Sequence, residues 1–198
     1  MLIAIDGLAG AGKTSTSKLL SNKLDFKYLD TGSMYRALTY MIVSQEILLD
    51  DLNSINNLLS QLHIEIDYHE SDMIILCNGK NVTDYLRTDK VSRNVSCVSS
   101  LVECRDKMVG LQREIVGNEN FVVEGRDIGT VVFPKADYKF FLIADLDTRS
   151  SRRFNQFEIS SSNFEKVKIG IANRDKKDSS RNYSPLKMAD DAISIDTT

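Results

Sequence analysis

Leu2, Ile3, Ala4 and Ile5 open the chain as an unbroken apolar run. Apolar residues on consecutive positions predict a strand covered on both faces. Gly12 to Leu24 reads as a helix with Leu19, Leu20 and Leu24 toward the sheet, and Phe26 to Asp30 as a second short strand. Thr31 is expected to cap a helix whose stripe is Met34, Ala37, Leu38, Met41 and Ile42. Residues 46–60 read as a polar, leucine-containing helical connection. The period then shortens. His63 to Glu70 and Met73 to Asn78 read as strands, with Asn78-Gly79 or Gly79-Lys80 as a hairpin turn, and His63 and His69 as ordinary strand residues. Val91 to Val116 is helical but not one straight helix, because Ser100-Leu-Val-Glu103 has the form of a capping box. Phe121 to Glu124, Tyr138 to Ala144 and Ala192 to Ile195 read as three further core strands. Between the last two, Ser162-Asn-Phe-Glu165 is expected to start a helix with Phe164, Val167 and Ile171 on one side. Strands alternating with helices point to an α/β fold carrying a small antiparallel insert.

Length and charge narrow the function. With 198 residues, a net charge of −3, 42% hydrophobic and 27% charged residues, the chain has the make-up of a globular domain. The acidic balance argues against a nucleic-acid polymer or an anionic membrane as partner, so an anionic substrate needs locally clustered arginines. Cys77, Cys97 and Cys104 are odd in number and lack metal-ligand spacing, which fits thiols in a reducing compartment. No apolar run approaches the roughly 18 residues of a membrane span. Asp6 cuts the first run, which lacks a basic flank, so the expected location is cytoplasmic.

The candidate chemistry begins where the first strand ends. Gly7-Leu8-Ala9-Gly10-Ala11-Gly12-Lys13-Thr14 fits Gly-x-x-x-x-Gly-Lys-Thr. Glycines let consecutive N–H groups turn inward around a di- or triphosphate. Lys13 offers a cation to the outer phosphates, and the Thr14 hydroxyl is a hard oxygen suited to Mg²⁺. Tyr35 and Arg36 lie off the apolar stripe of their helix, next to a strand's carboxyl end, where open α/β sheets bind ligands. Gly125-Arg126-Asp127 follows a buried strand directly. Arg126 offers a planar fork for phosphate, Asp127 a carboxylate to hold Arg126 or meet substrate, and Glu124 one to orient Mg²⁺ through water. Arg174, Asp178 and Arg181 are spaced four and three apart, on one helical face. They fit a surface ion-pair ladder or a lid closing over phosphates. Arg149, Arg152 and Arg153 add cation density ahead of them.

Several motifs in this order resemble one family. The loop at 7–14 is followed by Asp30-Thr-Gly-Ser-Met-Tyr-Arg36 and Glu124-Gly-Arg-Asp-Ile-Gly-Thr130. Arg174-Asp…Asp178-Ser-Ser-Arg181 and Ala192-Ile-Ser-Ile-Asp-Thr-Thr198 then complete a likeness to bacterial cytidylate kinases along the whole chain. The resemblance implies transfer of the ATP γ-phosphoryl group to CMP or dCMP with Mg²⁺. It implies a P-loop nucleoside monophosphate kinase fold, with a five-stranded parallel sheet and helices on both faces. One domain, 1–198, would comprise a core of 1–59 and 93–198, a monophosphate-binding insert at about 60–92 and a lid at about 149–181. Gly7 to Thr14 and Arg152 would bind ATP, with the metal at Thr14. Thr31, Tyr35, Arg36, Ser96, Arg105, Arg126, Asp127, Arg174, Asp178 and Arg181 would surround the monophosphate. Lys13, Arg126, Asp127 and Arg174 would act in catalysis. Many members carry another residue after the loop lysine, so the metal role of Thr14 rests on the general loop motif.

Two substrates held in line with neutralised charge suffice for phosphoryl transfer, and an ionised acceptor phosphate needs no general base. Arginine only donates, so an Arg105 aimed at cytosine O2 and N3 would suit cytosine and oppose uracil. Ser96 reaches the same pocket only if the helix breaks near Ser100. The rivals are a kinase for another small acceptor (UMP, dTMP or a shikimate-like alcohol) and a nucleotide-dependent switch. Asn22-Lys23-Leu24-Asp25 imitates a guanine-reading motif, but it lies at the end of the loop helix instead of across the sheet, and the chain has no Asp-x-x-Gly switch. A monomer is expected.

Overall fold

The apolar runs become strands of one parallel sheet in a computed structural model that describes residues 1–69, 72–156 and 164–198. In chain order the elements begin with β1 (Leu2–Gly7), α1 (Lys13–Leu24), β2 (Lys27–Asp30), α2 (Thr31–Ser44) and α3 (Leu52–Gln61). Then come β3 (Ile64–His69), β4 (Asp72–Cys77), β5 (Lys80–Asn81), α4 (Asp89–Val98) and α5 (Val102–Val116). The last are β6 (Phe121–Glu124), β7 (Tyr138–Ile143), α6 (Leu146–Gln156), α7 (Phe164–Ser179) and β8 (Ile193–Asp196). Sheet order is β2-β6-β1-β7-β8, with the small sheet β3-β4-β5 separate. The chain divides into two compact units, Met1–Lys27 with Asn120–Thr198, and Tyr28–Glu119.

In the first unit β1 is central. It pairs in parallel with β6 (Ile3 opposite Val122) and with β7 (Ile5 opposite Phe140), and β7 pairs with β8 (Leu142 opposite Ile195). Lys27 N–H donates to Asn120 O at 3.0 Å at the β6 edge. Ile3, Ile5, Ala11, Val122 and Leu142 form a buried cluster, with Leu8, Leu20, Phe26 and Phe140 packed on it. Burial of each large aliphatic chain here contributes about 1.5–3 kcal/mol relative to exposure. Because neighbouring parallel strands both end at the same edge, the β1, β6 and β7 exits deliver their loops together. That edge carries the candidate site.

The buried positions of α1 are Lys13, Ser17 and Ser21, whereas Leu19 and Leu24 are 61% and 42% exposed. The expected leucine face is therefore corrected. Small serines spaced four apart let the helix lie close, and of the three leucines only Leu20 packs on the core. Asp25, with φ 56°, closes the helix as its C-cap, which is the use the structure gives to the last residue of Asn22-Lys23-Leu24-Asp25. In α7, Ile171 is buried and Phe164 meets Phe154 edge to face at 6.0 Å. The capping box expected at Ser162 and the central part of the expected lid fall outside the described residues.

In the second unit, Met34, Ala37, Leu38 and Ile42 of α2 are fully buried. The cap of this helix is Asp30, not Thr31. The Asp30 carboxylate accepts from Ser33 N–H at 3.0 Å and from Ser33 Oγ at 2.6 Å. The antiparallel insert has a third strand that the pattern did not predict. Asn78 (φ 50°) and Gly79 (φ 76°) form the two-residue turn between β4 and the short β5. The helical break expected near Ser100 is present between α4 and α5, but without a capping box. Leu101 is the α5 cap and makes no side-chain bond, while Ser100 Oγ donates back to Cys97 O at 2.6 Å. No helix among the described residues is long and apolar enough to cross a membrane.

Candidate active site

The loop after β1 closes on itself through Lys13. Its ammonium, buried at the first position of α1, donates to Gly7 O at 3.0 Å and to Leu8 O at 2.8 Å. Glycine is required at position 7, where a Cβ would lie 2.1 Å from Leu142 O. At Gly10 (φ 77°) a Cβ would come within 3.1 Å of Arg149 Cβ and O. Arg149 clamps the loop, donating from a terminal nitrogen to Ala9 O at 2.9 Å and from Nε to Ala144 O at 2.9 Å. It also pairs with Asp175, whose other oxygen accepts the Ala9 N–H at 2.9 Å. Arg152 donates to Thr197 O at 2.5 Å, and the Thr197 hydroxyl lies 3.0 Å from Ala11 O. Arg152 thus reaches the loop through the C-terminal strand's end.

Arginines gather beside this loop. Asp178, 1% exposed, is their common partner. It accepts from Arg126 Nε at 3.2 Å, pairs with Arg181, and lies 3.9 Å from Arg174 Nε. Arg174, Asp178 and Arg181 do come together, but not on one helical face as expected. Because α7 ends at Ser179, Arg174 and Asp178 lie on the helix while Arg181 meets Asp178 from beyond its end, and Arg126 joins them through Asp178. Burial pushes the Lys13 amine down to about 7, and Arg126 and Arg174 push the same way, while Glu124 and Asp6 pull against them. Like charges crowding a buried lysine make a place where an added anion is favoured. Glu124 and Asp127 are both 4% exposed. Thr14 stands half-buried in the first turn of α1. Its hydroxyl and the Glu124 carboxylate are hard oxygen donors, the chemistry that suits Mg²⁺ held mainly by substrate phosphates.

The second unit holds a different arrangement. Tyr35 and Arg36, on the first turns of α2, are each 7% exposed. Arg36 donates from one terminal nitrogen to Leu86 O at 3.1 Å and to Ser92 Oγ at 3.0 Å. Arg105, on the first turn of α5, is 1% exposed, lies 5.5 Å from the Tyr35 ring centroid and donates to Ser99 O at 3.2 Å. It is not a solvated surface arginine. Ser96, on α4, has a buried hydroxyl that finds no hydrogen-bond partner among the described residues. Thr31 is buried at the first position of α2.

Sequence reasoning missed the roles of Asp6, Asp175 and Thr197. Asp6 accepts from Ile128 N–H at 2.8 Å and Gly129 N–H at 2.7 Å. The available signal was a lone acid closing an apolar run. Asp175 stands next to the singled-out Arg174, and Thr197 belongs to the quoted ending, so both sat inside known motifs without a reason to separate them.

Residues 3–198 match the family described as cytidylate kinase. A cytidylate kinase of Carboxydothermus hydrogenoformans is 44% identical over 203 residues, covering 100% of this chain and 90% of that protein. One from a Geobacillus species is 43% identical over 198 residues, covering 99% and 88%. One from Lactobacillus johnsonii is 42% identical over 200 residues, covering 100% and 87%. With the match running through the loop, the Arg126 corner, α5 and α7, the chain belongs to the cytidylate kinase family.

Proposed function

We propose that this protein transfers the γ-phosphoryl group of ATP to CMP and dCMP, giving the diphosphates, and does so in the cytoplasm as a monomer. The observation that carries the phosphoryl-transfer reading is the glycine loop closed by the buried Lys13, with Arg126 and Arg174 gathered at Asp178. Cations gathered at a glycine-rich loop favour the binding of a polyphosphate there. Family membership supports the acceptor.

The loop N–H groups from Gly7 to Thr14 and Lys13 are assigned to the ATP phosphates, with Arg152 steadying the loop through Thr197. Arg126, Arg174 and Arg181, held by Asp178, are assigned to charge developing on phosphate oxygens during transfer, with Asp127 beside them. Each guanidinium offers donors only, in a planar fork that matches phosphate oxygens. Mg²⁺, with Thr14 as its protein ligand, would neutralise charge shared by the outer phosphates. In the second unit, Thr31, Tyr35, Arg36, Ser96 and Arg105 are assigned to the acceptor nucleotide. Arg105 donates toward cytosine O2 and N3, and Ser96 offers its hydroxyl to the N4 amino group.

The test is ADP release with CMP, dCMP, UMP, AMP, dTMP or no acceptor, each with ATP and Mg²⁺. Turnover is expected with CMP and dCMP far above the others. Preference for another acceptor contradicts the substrate, and equal release without acceptor contradicts the kinase reading.

A further inference from the structure

Asp6 is the last side chain of β1 before the phosphate loop and the one charged residue of that strand. It is 4% exposed. Both of its carboxylate oxygens are used, one by each N–H of Ile128 and Gly129. Those N–H groups open a single π-helical turn, Ile128–Val132, which follows the Arg126-Asp127 corner directly. The turn is closed by Val132 N–H on Asp127 O at 3.2 Å and Phe133 N–H on Ile128 O at 2.7 Å. Asp127, in the cap position, makes no capping bond with its own side chain. The cap comes instead from Asp6, on another strand.

The fit leaves little slack. A Cβ on Gly129 would lie 3.5 Å from Asp6 Oδ2 and 3.1 Å from Lys139 Cδ. Lys139 lends only its stem there, because its ammonium donates to Pro134 O at 2.7 Å and to Asp191. The charges that act on Asp6 are Asp127 and Lys13, of opposite sign. Burial pushes its carboxyl up to about 6, against the pull of the two N–H groups. A carboxylate accepts both N–H groups at once, whereas an asparagine of the same shape would present one acceptor oxygen and one donor amide. The tie therefore depends on the charged form as well as on volume.

We propose that Asp6 is a positioning residue for phosphoryl transfer, locking the strand end that carries the phosphate loop to the corner that carries Arg126 and Asp127. The proposal rests on the assignment of Lys13 and Arg126 to the transferring group. Small misplacements of such groups are costly in rate.

The experiment measures kcat and KM for ATP and CMP in Asp6→Asn and Asp6→Ala, with Lys13→Ala alongside and folding followed by circular dichroism. Asp6→Ala should lower kcat about 100-fold and Asp6→Asn about 10-fold, with both KM values within about 3-fold of wild type. If Asp6→Ala does not fold, Asp6→Asn carries the same test. A folded Asp6→Asn or Asp6→Ala protein with wild-type kcat, or a loss confined to KM, overturns the proposal. So does an Asp6→Asn protein that cannot fold, which would assign the residue to folding alone. An inactive Lys13→Ala beside active Asp6 variants sinks this proposal only. An active Lys13→Ala sinks the site reading and this proposal with it.

Discussion

Lys13 and Arg105 are both cations withdrawn from water, 6% and 1% exposed, and the two units treat them in different ways. Lys13 sits against two loop carbonyls with further cations nearby, and its amine is pushed down to about 7. Arg105 lies over the Tyr35 ring with Ser99 O as an acceptor. A lysine poised near neutrality can answer the arrival of negative charge by taking up a proton. An arginine presents a planar fork of donors, which suits recognition of a base edge. The first arrangement serves transfer and the second serves choice.

Removing Lys13 should break the transfer half of this comparison most severely. Lys13→Ala is expected to cost on the order of 3 kcal/mol or more in transition-state stabilisation, with the fold intact by circular dichroism. Near wild-type turnover would remove Lys13 from the site. Ser96→Ala sharpens the other half with a smaller effect. Its buried hydroxyl lacks a partner among the described residues, so its loss should leave thermal stability unchanged or raised. CMP affinity should weaken by about 1 kcal/mol, the typical net worth of one hydrogen bond. A stability loss without any change in CMP binding would count against its assigned role.

The smallest signal is a fraction of one proton. Burial pushes the Lys13 amine down to about 7 in the folded chain, from the ordinary lysine value of 10.5. Between those values the unfolded chain holds the proton and the folded apo chain does not, so stability rises with pH across that window. Nucleotide phosphates favour the charged form, so ATP binding near pH 8.5 should take up protons. Calorimetry in two buffers of different ionisation enthalpy measures this. Zero uptake, or release, would contradict the state assigned to Lys13.

What the sequence made legible was local. The loop from Gly7 to Thr14, the strand Phe121–Glu124 and the α2 stripe all depend on neighbours within a few residues. Local patterns decided less well between adjacent candidates: Asp30 and Thr31 can both cap, and only three-dimensional placement selects Asp30. In α1 the core prefers Ser17 and Ser21 to Leu19, because close approach to the sheet demands small side chains. Asp6 bonds residues 122 and 123 positions away, Asp175 one 166 away and Thr197 one 186 away. No periodicity encodes such pairs. Arg105 was singled out through the family likeness, and its burial under Tyr35 depends on packing between helices that a one-dimensional pattern does not contain.

The division of labour is tested most directly by the ratio of kcat/KM for CMP to that for UMP in Arg105→Met against wild type. Methionine keeps much of the apolar stem and removes every donor. The account predicts that the ratio falls by about 1–3 kcal/mol of discrimination, chiefly through loss of CMP turnover, with UMP little changed. An unchanged ratio in a folded Arg105→Met protein would mean that Arg105 does not read the base.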